Sequence, residues 1–171
     1  GKILFEPESL AFQGMRGLYQ AIPFQADGNL RFFKDPLINV EIRTASHIDQ
    51  ILSLLPSEHK KWLKDFEIKG NCQTVTSVNG LLKDPSSLAP QHQLFLEQGS
   101  LTRGDKKLSI TELSGLIAAN NDGFRISNGR FRYFDKNYFL SAFIPLKNQP
   151  GALELESQGL KVSADYTIGK N

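Results

Sequence analysis

Apolar and polar residues alternate along most of this chain, the pattern of β-strands with one covered face and one wet face. In residues 22–33 the apolar side chains fall mainly on even positions and the polar ones on odd positions. Residues 37–44 repeat this alternation after a turn at residues 34–36. We therefore predict an antiparallel hairpin that is apolar on one side and wet on the other.

Residues 123–146 predict a second ribbon of two strands, joined by a polar turn at residues 135–137. Large apolar groups occupy even positions as far as Ile126 and odd positions from Phe131 onward. Such a change of parity indicates a bulge or a turn, and we expect it at Asn128-Gly129.

The second strand of this ribbon carries apolar groups on both of its faces. Phe139 and Phe143 lie opposite the main apolar row, because neighbouring side chains alternate across a strand. Both faces therefore need cover. We expect these two rings to be covered by a helix near Ser46 or by another part of a larger protein.

The middle of the chain carries the helical pattern. Ser46 is the predicted N-cap, with Asp49 three residues later completing a variant capping box, and Pro56 is predicted to end the helix. The apolar stripe of this helix consists of Ile48, Ile51, Leu52 and Leu55. Residues 57–64 predict a second short helical turn with Trp62 packed inward.

Further strand patterns appear on either side of these elements. Pro7 separates two short predicted strands within residues 3–13, and Gly14 and Gly17 bracket a predicted loop. Counting every such segment gives about ten to twelve strands. We predict one mainly β, antiparallel domain over residues 1–171, with one or two short helices around 46–64.

Composition narrows the function. With 171 residues and 40% apolar content, the chain is long enough to bury a core. A net charge of +2 argues against a dedicated nucleic-acid surface. A single cysteine permits no internal disulfide, and no apolar run is long enough for a spanning helix. Because the chain begins with Gly1, we expect it to be a piece of a larger protein.

Candidate catalytic and metal-binding residues are few. His47, His59 and His92 are far apart and lack metal-ligand spacing, so we expect surface histidines. Cys72 has no flanking nucleophile motif and is expected to be an inert thiol. Residues 129–134 match only part of an RNA-recognition signature and predict a plain strand instead. We predict no enzyme, no metal and no cofactor.

The abundance of large apolar groups leaves two architectures open. Phenylalanine occurs 12 times, often on both faces of a predicted strand. In a closed barrel or sandwich these residues form the core, and the pattern alone favours that interpretation. In an open, curved sheet the inner face becomes an apolar groove for a ligand or for lipid.

The order of segments between residues 20 and 90 resembles the AsmA-like superfamily, which includes the TamB-type proteins. The resemblance rests on a hairpin over 28–43, the helix I-D-Q-I-L-S-L-L-P over 48–56, and strands over 63–70 and 78–85. It implies an elongated curved antiparallel sheet, a β-groove or taco-like fold. The family is periplasmic, tethered to the inner membrane, and carries phospholipid acyl chains without catalytic residues.

This resemblance implies a lipid-binding groove without catalytic residues. The groove residues that the alternation predicts are Phe24, Leu30, Phe32, Ile38, Val40, Ile42, Phe66, Ile68, Leu94, Leu96, Leu140, Ile144, Val162 and Tyr166. The implied partners are phospholipid acyl chains, envelope assembly proteins and the rest of a parent chain with a membrane anchor. The alternative is a compact β-sandwich that serves as an interaction or adhesion module with a fully buried core.

Overall fold

Each strand of the chain pairs with the strands next to it in sequence. The computed structural model describes residues 1–32, 34–54, 57, 60, 63–104, 108–146 and 149–167. These residues form one antiparallel sheet whose strand order follows the sequence. Its eleven strands are β1 Lys2–Glu6, β2 Ser9–Tyr19, β3 Ile22–Arg31, β4 Leu37–His47, β5 Glu67–Leu81, β6 Ala89–Arg103, β7 Leu108–Asn120, β8 Gly123–Tyr133, β9 Lys136–Pro145, β10 Pro150–Ser157 and β11 Leu160–Thr167.

The sheet remains open. It is not closed into a barrel, and β1 and β11 form its two edges. The predicted mainly β fold with an open antiparallel sheet is therefore confirmed, and the closed sandwich or barrel is wrong as a description of the fold. The described helices are α1, Ile48–Ser53, between β4 and β5, and a 3₁₀ turn, Pro85–Ser87, between β5 and β6.

The pairing register assigns each strand residue to one of two faces, because directly opposed residues in an antiparallel pair share a face. Leu30 opposes Ile38, and the same face continues through Leu94, Leu140 and Val162 on later strands. We call this side the apolar face. The opposite side, the polar face, carries Asp27, Glu41, Arg125, Glu154 and Lys161.

Bulges interrupt the register of the central strands. Gln98, Glu112 and Asn128 have φ values of 50°, 53° and 53°, and they fall on three neighbouring strands. The pairing of β8 with β9 shifts between Ile126 and Gly129, so the predicted change of parity at Asn128-Gly129 is confirmed as a bulge. Because a bulge turns following side chains to the other face, apolar residues remain on one side along the whole strand.

Two of the predicted turns differ from the structure. The expected loop between Gly14 and Gly17 is wrong, since β2 continues through it with a bulge at Gly14, where φ is +58°. Glycine adopts that φ without strain, so the strand absorbs the extra residue. The ribbon turn is also one residue earlier than predicted, at Phe134 and Asp135, because Lys136 already belongs to β9.

The helix begins later than predicted. Its N-cap is His47, which makes no side-chain capping bond, so the Ser46–Asp49 capping box is wrong. Ser46 still belongs to β4, where it opposes Cys72 in the β4·β5 ladder. Leu55, Pro56, Trp62 and His59 lie outside the described residues, as does most of the second helical turn.

Helix α1 lies on the apolar face and forms the most buried part of the molecule with it. Ile48 is 4% exposed, Cys72 3% and Leu96 8%. The partly buried side chains around this cluster are Ile51, Leu52, Ile68, Leu94 and Leu113. The other buried apolar residues, Ile22, Ala26 and Ala142, lie outside this cluster, so the core is small and divided.

Candidate functional site: the apolar sheet face

The predicted groove residues come together on one side of the sheet. Those within strands share the apolar face by register: Phe24, Leu30, Ile38, Val40, Ile42, Ile68, Leu94, Leu96, Leu140, Ile144, Val162 and Tyr166. Two others lie just outside strands, Phe32 after β3 and Phe66 before β5. The ring of Phe66 lies 5.0 Å from the guanidinium of Arg103.

The two faces differ sharply in charge. Within the described strands, the register-paired charged residues on the apolar face are Arg103 and Lys136, at the end of β6 and the start of β9. The polar face carries charges along almost every strand. They include Lys2, Glu6, Asp27, Arg31, Glu41, Arg43, Glu67, Lys69, Glu97, Arg125, Arg130, Arg132, Glu154, Glu156, Lys161 and Asp165. The apolar face thus extends over all eleven strands without a charge in its interior.

Most of the predicted groove side chains on the apolar face are half-buried. Helix α1 covers it only around Cys72 and Leu96. Toward β11 the large side chains are partly exposed, with Phe124 at 41%, Ile144 at 39% and Val162 at 49%. Contiguous exposed apolar surface of this extent is uncommon on soluble proteins and marks a site of contact.

Aromatic rings lie directly over glycines of the neighbouring strand. A Cβ placed on Gly17 would lie 2.7 Å from Cζ of Phe24, and one on Gly151 would overlap the ring of Tyr166. The hydroxyl of Tyr166 donates to the carbonyl oxygen of Phe143 at 3.0 Å. These rings fill the space that a glycine leaves, so they smooth the face rather than stand up from it.

These glycines are members of the face that sequence reasoning missed. Gly17 opposes Phe24 and Gly151 opposes Tyr166 in the register. A glycine on the apolar parity of a strand, facing an aromatic on the next strand, is the signal that was available. It was hidden because the register between the strands is not visible in the sequence.

Phe139 and Phe143 are covered differently from the expectation. Arg130 lies 5.7 Å from the ring of Phe139, and Arg125 lies 5.0 Å from the ring of Phe143. Each arginine comes from the paired position on β8. The expectation of cover from the helix is wrong, because α1 packs on the opposite face. Guanidinium groups stack favourably on aromatic rings and keep these rings compatible with a wet face.

The described residues hold little that resembles a catalytic centre. No group of three or more His, Cys, Asp or Glu side chains among them is arranged to hold a metal ion. His47 and His92 are exposed, as predicted, and Nδ1 of His92 lies 3.1 Å from the hydroxyl of Thr76. Burial raises the pKa of the Cys72 thiol, with a further contribution from Asp49, so Cys72 is a poor nucleophile at neutral pH.

The surface depressions are open and mixed in character, and the one of about 560 Å³ is lined by residues that include Glu6, Ser9 and Arg31. One of about 390 Å³ lies beside α1 and is lined by residues that include Ser46, His47 and Gln50. Across the described part of the chain, no helix is both long enough and apolar enough to cross a membrane. The surface with the clearest chemical character is therefore the apolar face.

No family model, curated protein or solved structure matches this chain. The resemblance to the AsmA-like superfamily therefore stays a prediction.

Proposed function

We propose that this protein binds phospholipid acyl chains along its apolar face, as a non-enzymatic part of a larger envelope protein that moves lipid or assists outer-membrane assembly. The observation that carries the proposal is the apolar face of the eleven-stranded sheet, which has no charge in its interior and which α1 covers only around Cys72 and Leu96. An acyl chain matches a long surface without charges in its interior. The polar side chains within it are paired with one another, Thr44 with Thr74 and Thr76 with His92.

The energetics support an extended ligand. Each buried methylene group contributes about 0.8 kcal/mol, so an acyl chain gains affinity in proportion to the length it lays down. Strands are spaced about 4.8 Å apart, and a chain crossing several strands meets one row of side chains on each. The opposed residues Leu94, Ile117, Ile126, Ala142 and Leu153 form such a row across β6 to β10.

The setting of this activity follows from the resemblance to the AsmA-like superfamily. We place the protein in the periplasm, tethered to the inner membrane through the rest of a parent chain. Its partners are phospholipids and envelope assembly proteins. The proposal requires no cofactor, metal or nucleic acid.

Two exposed residues on neighbouring strands provide a matched test. Ile117 on β7 is 37% exposed on the apolar face, and Phe95 on β6 is 39% exposed on the polar face. We expect phospholipid to be extracted from the purified wild-type protein and to remain bound in native mass spectrometry. Ile117→Glu should remove most of that lipid, because it places a charge in the middle of the proposed path. Phe95→Glu should leave it bound.

Circular dichroism and a urea titration of both variants show whether each remains folded. Absence of bound phospholipid in the wild type, even after incubation with a fluorescent phosphatidylethanolamine, would contradict the proposal. Equal lipid loss in two folded variants would also contradict it, because binding would then not depend on the face.

A further inference from the structure

The polar face contains a depression of about 390 Å³ beside the start of α1. This volume lies within the range of small-molecule pockets, roughly 300–1,000 Å³. Side chains that line the depression form two rows across β4, β5 and β6, because directly opposed residues share a face. The first row is His47, Asn71 and Glu97, and the second row is Ala45, Gln73 and Phe95.

The small side chain of Ala45 forms the floor of this depression. Ala45 is exposed and lies directly opposite Gln73, with His47 two residues further along the same strand. Neighbouring strands are about 4.8 Å apart, and alternate residues of one strand are about 7 Å apart. The larger side chains of His47 and Gln73 therefore border the open space above Ala45, and Phe95 lines it one strand further on.

Phe95 presents an uncovered aromatic ring to this depression. Its side chain is 39% exposed, and within the described part of the chain no guanidinium group lies over its ring. Phe139, on the same face, differs because Arg130 lies 5.7 Å from its ring. The face of an aromatic ring is electron-rich and attracts the polarised C–H groups of a sugar ring. Phe95 is therefore a suitable platform for the flat side of a pyranose.

The polar side chains of the two rows retain free hydrogen-bonding groups. Elsewhere on this face a carboxylate pairs with a cation, as Glu154 does with Lys161 at 3.1 Å. Within the described residues, no side-chain hydrogen bond or ion pair is made by His47, Asn71, Gln73 or Glu97. All four are exposed, so their donors and acceptors are available to a ligand.

We propose that this depression binds a neutral pyranose sugar, with the flat C–H side of the sugar on Phe95 and its hydroxyl groups paired with Asn71, Gln73 and Glu97. A side-chain amide both donates and accepts hydrogen bonds, as a hydroxyl group does. Each amide therefore pairs with hydroxyl groups in either direction, and the carboxylate accepts from a further hydroxyl.

The charges around the depression favour a neutral ligand. Its described lining contains no lysine or arginine, and Glu97 repels an anion. A small cation pairs with Glu97 but leaves the N–H donors of Asn71 and Gln73 without acceptors from the ligand. A polyhydroxylated ring matches the aromatic platform and both amides together.

A nuclear magnetic resonance titration tests the proposal on the ¹⁵N-labelled protein. The probes are the methyl pyranosides of glucose, galactose, mannose and N-acetylglucosamine, with choline chloride and sodium acetate as a small cation and a small anion. At least one glycoside should cause saturable shifts of backbone amide resonances around the two rows on β4, β5 and β6. Choline and acetate should cause no saturable shift there.

Matched variants test the platform and the floor. Phe95→Ala should weaken glycoside binding about tenfold, whereas Phe139→Ala should leave it unchanged. Ala45→Leu should abolish binding because the larger side chain fills the depression. Ala152→Leu changes an exposed alanine on the polar face of β10 and should have no effect.

The carboxylate provides a test of ligand charge. Glu97→Gln should retain more affinity for the glycoside than Glu97→Ala, because its amide oxygen still accepts a hydrogen bond. The absence of a saturable shift with all four glycosides would overturn the proposal. Wild-type glycoside affinity in Ala45→Leu would also overturn it, as would binding of choline or acetate in place of a glycoside.

The sugar site does not depend on lipid binding, because it lies on the opposite face of the sheet. Phe95→Glu should remove glycoside binding and leave lipid bound, and Ile117→Glu should do the reverse. Lipid-free protein that binds a glycoside supports the sugar site even if the proposed function fails. Lipid-loaded protein that binds none of the four glycosides supports the proposed function and overturns the sugar site.

Discussion

The centre of the apolar face and its flank toward β11 have the same alternating sequence pattern but different surroundings. In the centre, α1 covers Cys72 and Leu96, which are 3% and 8% exposed. On the flank, Leu153 and Val162 occupy the same face with exposures of 38% and 49%. The difference lies in the covering element and not in the strands. The alternation of apolar and polar residues therefore determines which side chains share a face. The packing of helix α1 on that face determines which of them form a core.

This comparison predicts two kinds of stability in one sheet. In the centre the free energy of unfolding depends on apolar packing beneath α1. On the flanks it depends on backbone pairing, turns and bulges, because the side chains there gain little from burial.

The largest effect is expected from shortening matched leucines. Leu96→Ala should lower the free energy of unfolding by about 3 kcal/mol, because it leaves a cavity beneath α1. Leu153→Ala on β10 should cost about 1 kcal/mol or less, since its side chain is already 38% exposed. Urea titrations followed by circular dichroism measure both values. Equal losses would show that the flank is packed as tightly as the centre.

The reactivity of the Cys72 thiol reports on how tightly helix α1 packs over the sheet. The thiol is buried, donates to the Ser46 carbonyl oxygen at 3.4 Å and has a raised pKa, so it should react slowly with Ellman's reagent. Ile48→Ala should speed the native-state reaction roughly tenfold by loosening α1 above the thiol. Ile144→Ala, on the uncovered flank, should leave the rate unchanged. An increase with Ile144→Ala would indicate that opening is global.

The strands and their faces could be predicted because apolar and polar residues alternate along each strand, and this alternation is visible in the sequence. Leu140 and Ile144 lie on the predicted face, and the change of parity at Asn128 marks a true bulge. A bulge can be recognised in the sequence only when apolar residues occur on both sides of it, because their change of parity then marks its position. At Gly14 the sequence predicts a loop where the structure has a bulge, since glycines are also typical of loops.

Whether another element covers the apolar face could not be predicted in the same way. A strand in a closed barrel and a strand in an open sheet have the same alternation of apolar and polar residues. The sequence around Val162 is therefore compatible with both architectures. The capping signal at Ser46 was overridden because that residue continues the β4·β5 ladder opposite Cys72. The β4·β5 pairing continues past the predicted start of the helix, and this is visible only in the pairing register.

The bulge near Gly14 offers a polar test of the opposite flank. The backbone N–H of Gly14 donates to Oδ1 of Asp27 at 2.7 Å. This hydrogen bond, together with one from the Gln25 side chain, holds the pKa of Asp27 below its ordinary value of 3.8. A lowered carboxyl pKa stabilises the fold above the unfolded pKa, and that stabilisation is lost as pH falls through the folded pKa. Asp27→Ala should therefore destabilise the protein at pH 7, by less than Leu96→Ala.

The pH dependence separates this hydrogen bond from general packing. The difference in melting temperature between wild type and Asp27→Ala should be constant near neutral pH and shrink below about pH 4, as the wild-type carboxylate is protonated. Asp27→Asn should fall between them, because its amide oxygen still accepts from Gly14 but carries no charge. A difference that persists unchanged in acid would show that the carboxylate contributes only through its bulk.

The smallest effect is expected at the turn between β10 and β11. Gln158 and Gly159 form a two-residue loop in which φ is 49° and 81°, so both residues are left-handed. Asparagine tolerates that conformation better than glutamine, and Asn-Gly is the preferred pair for such a turn. Gln158→Asn should therefore raise the free energy of unfolding by about 0.5 kcal/mol. Gln158→Val should lower it, since β-branched residues resist positive φ.

The same turn change connects flank stability to the edge strand. If β11 is held mainly by its turn and its ladder with β10, Gln158→Asn should slow amide hydrogen exchange in Leu160–Thr167 and leave β5 and β6 unchanged. Uniform slowing across the sheet would mean that β11 unfolds together with the centre. Slowing confined to β11 would mean that the flank opens independently of the core beneath α1, as its exposed side chains predict.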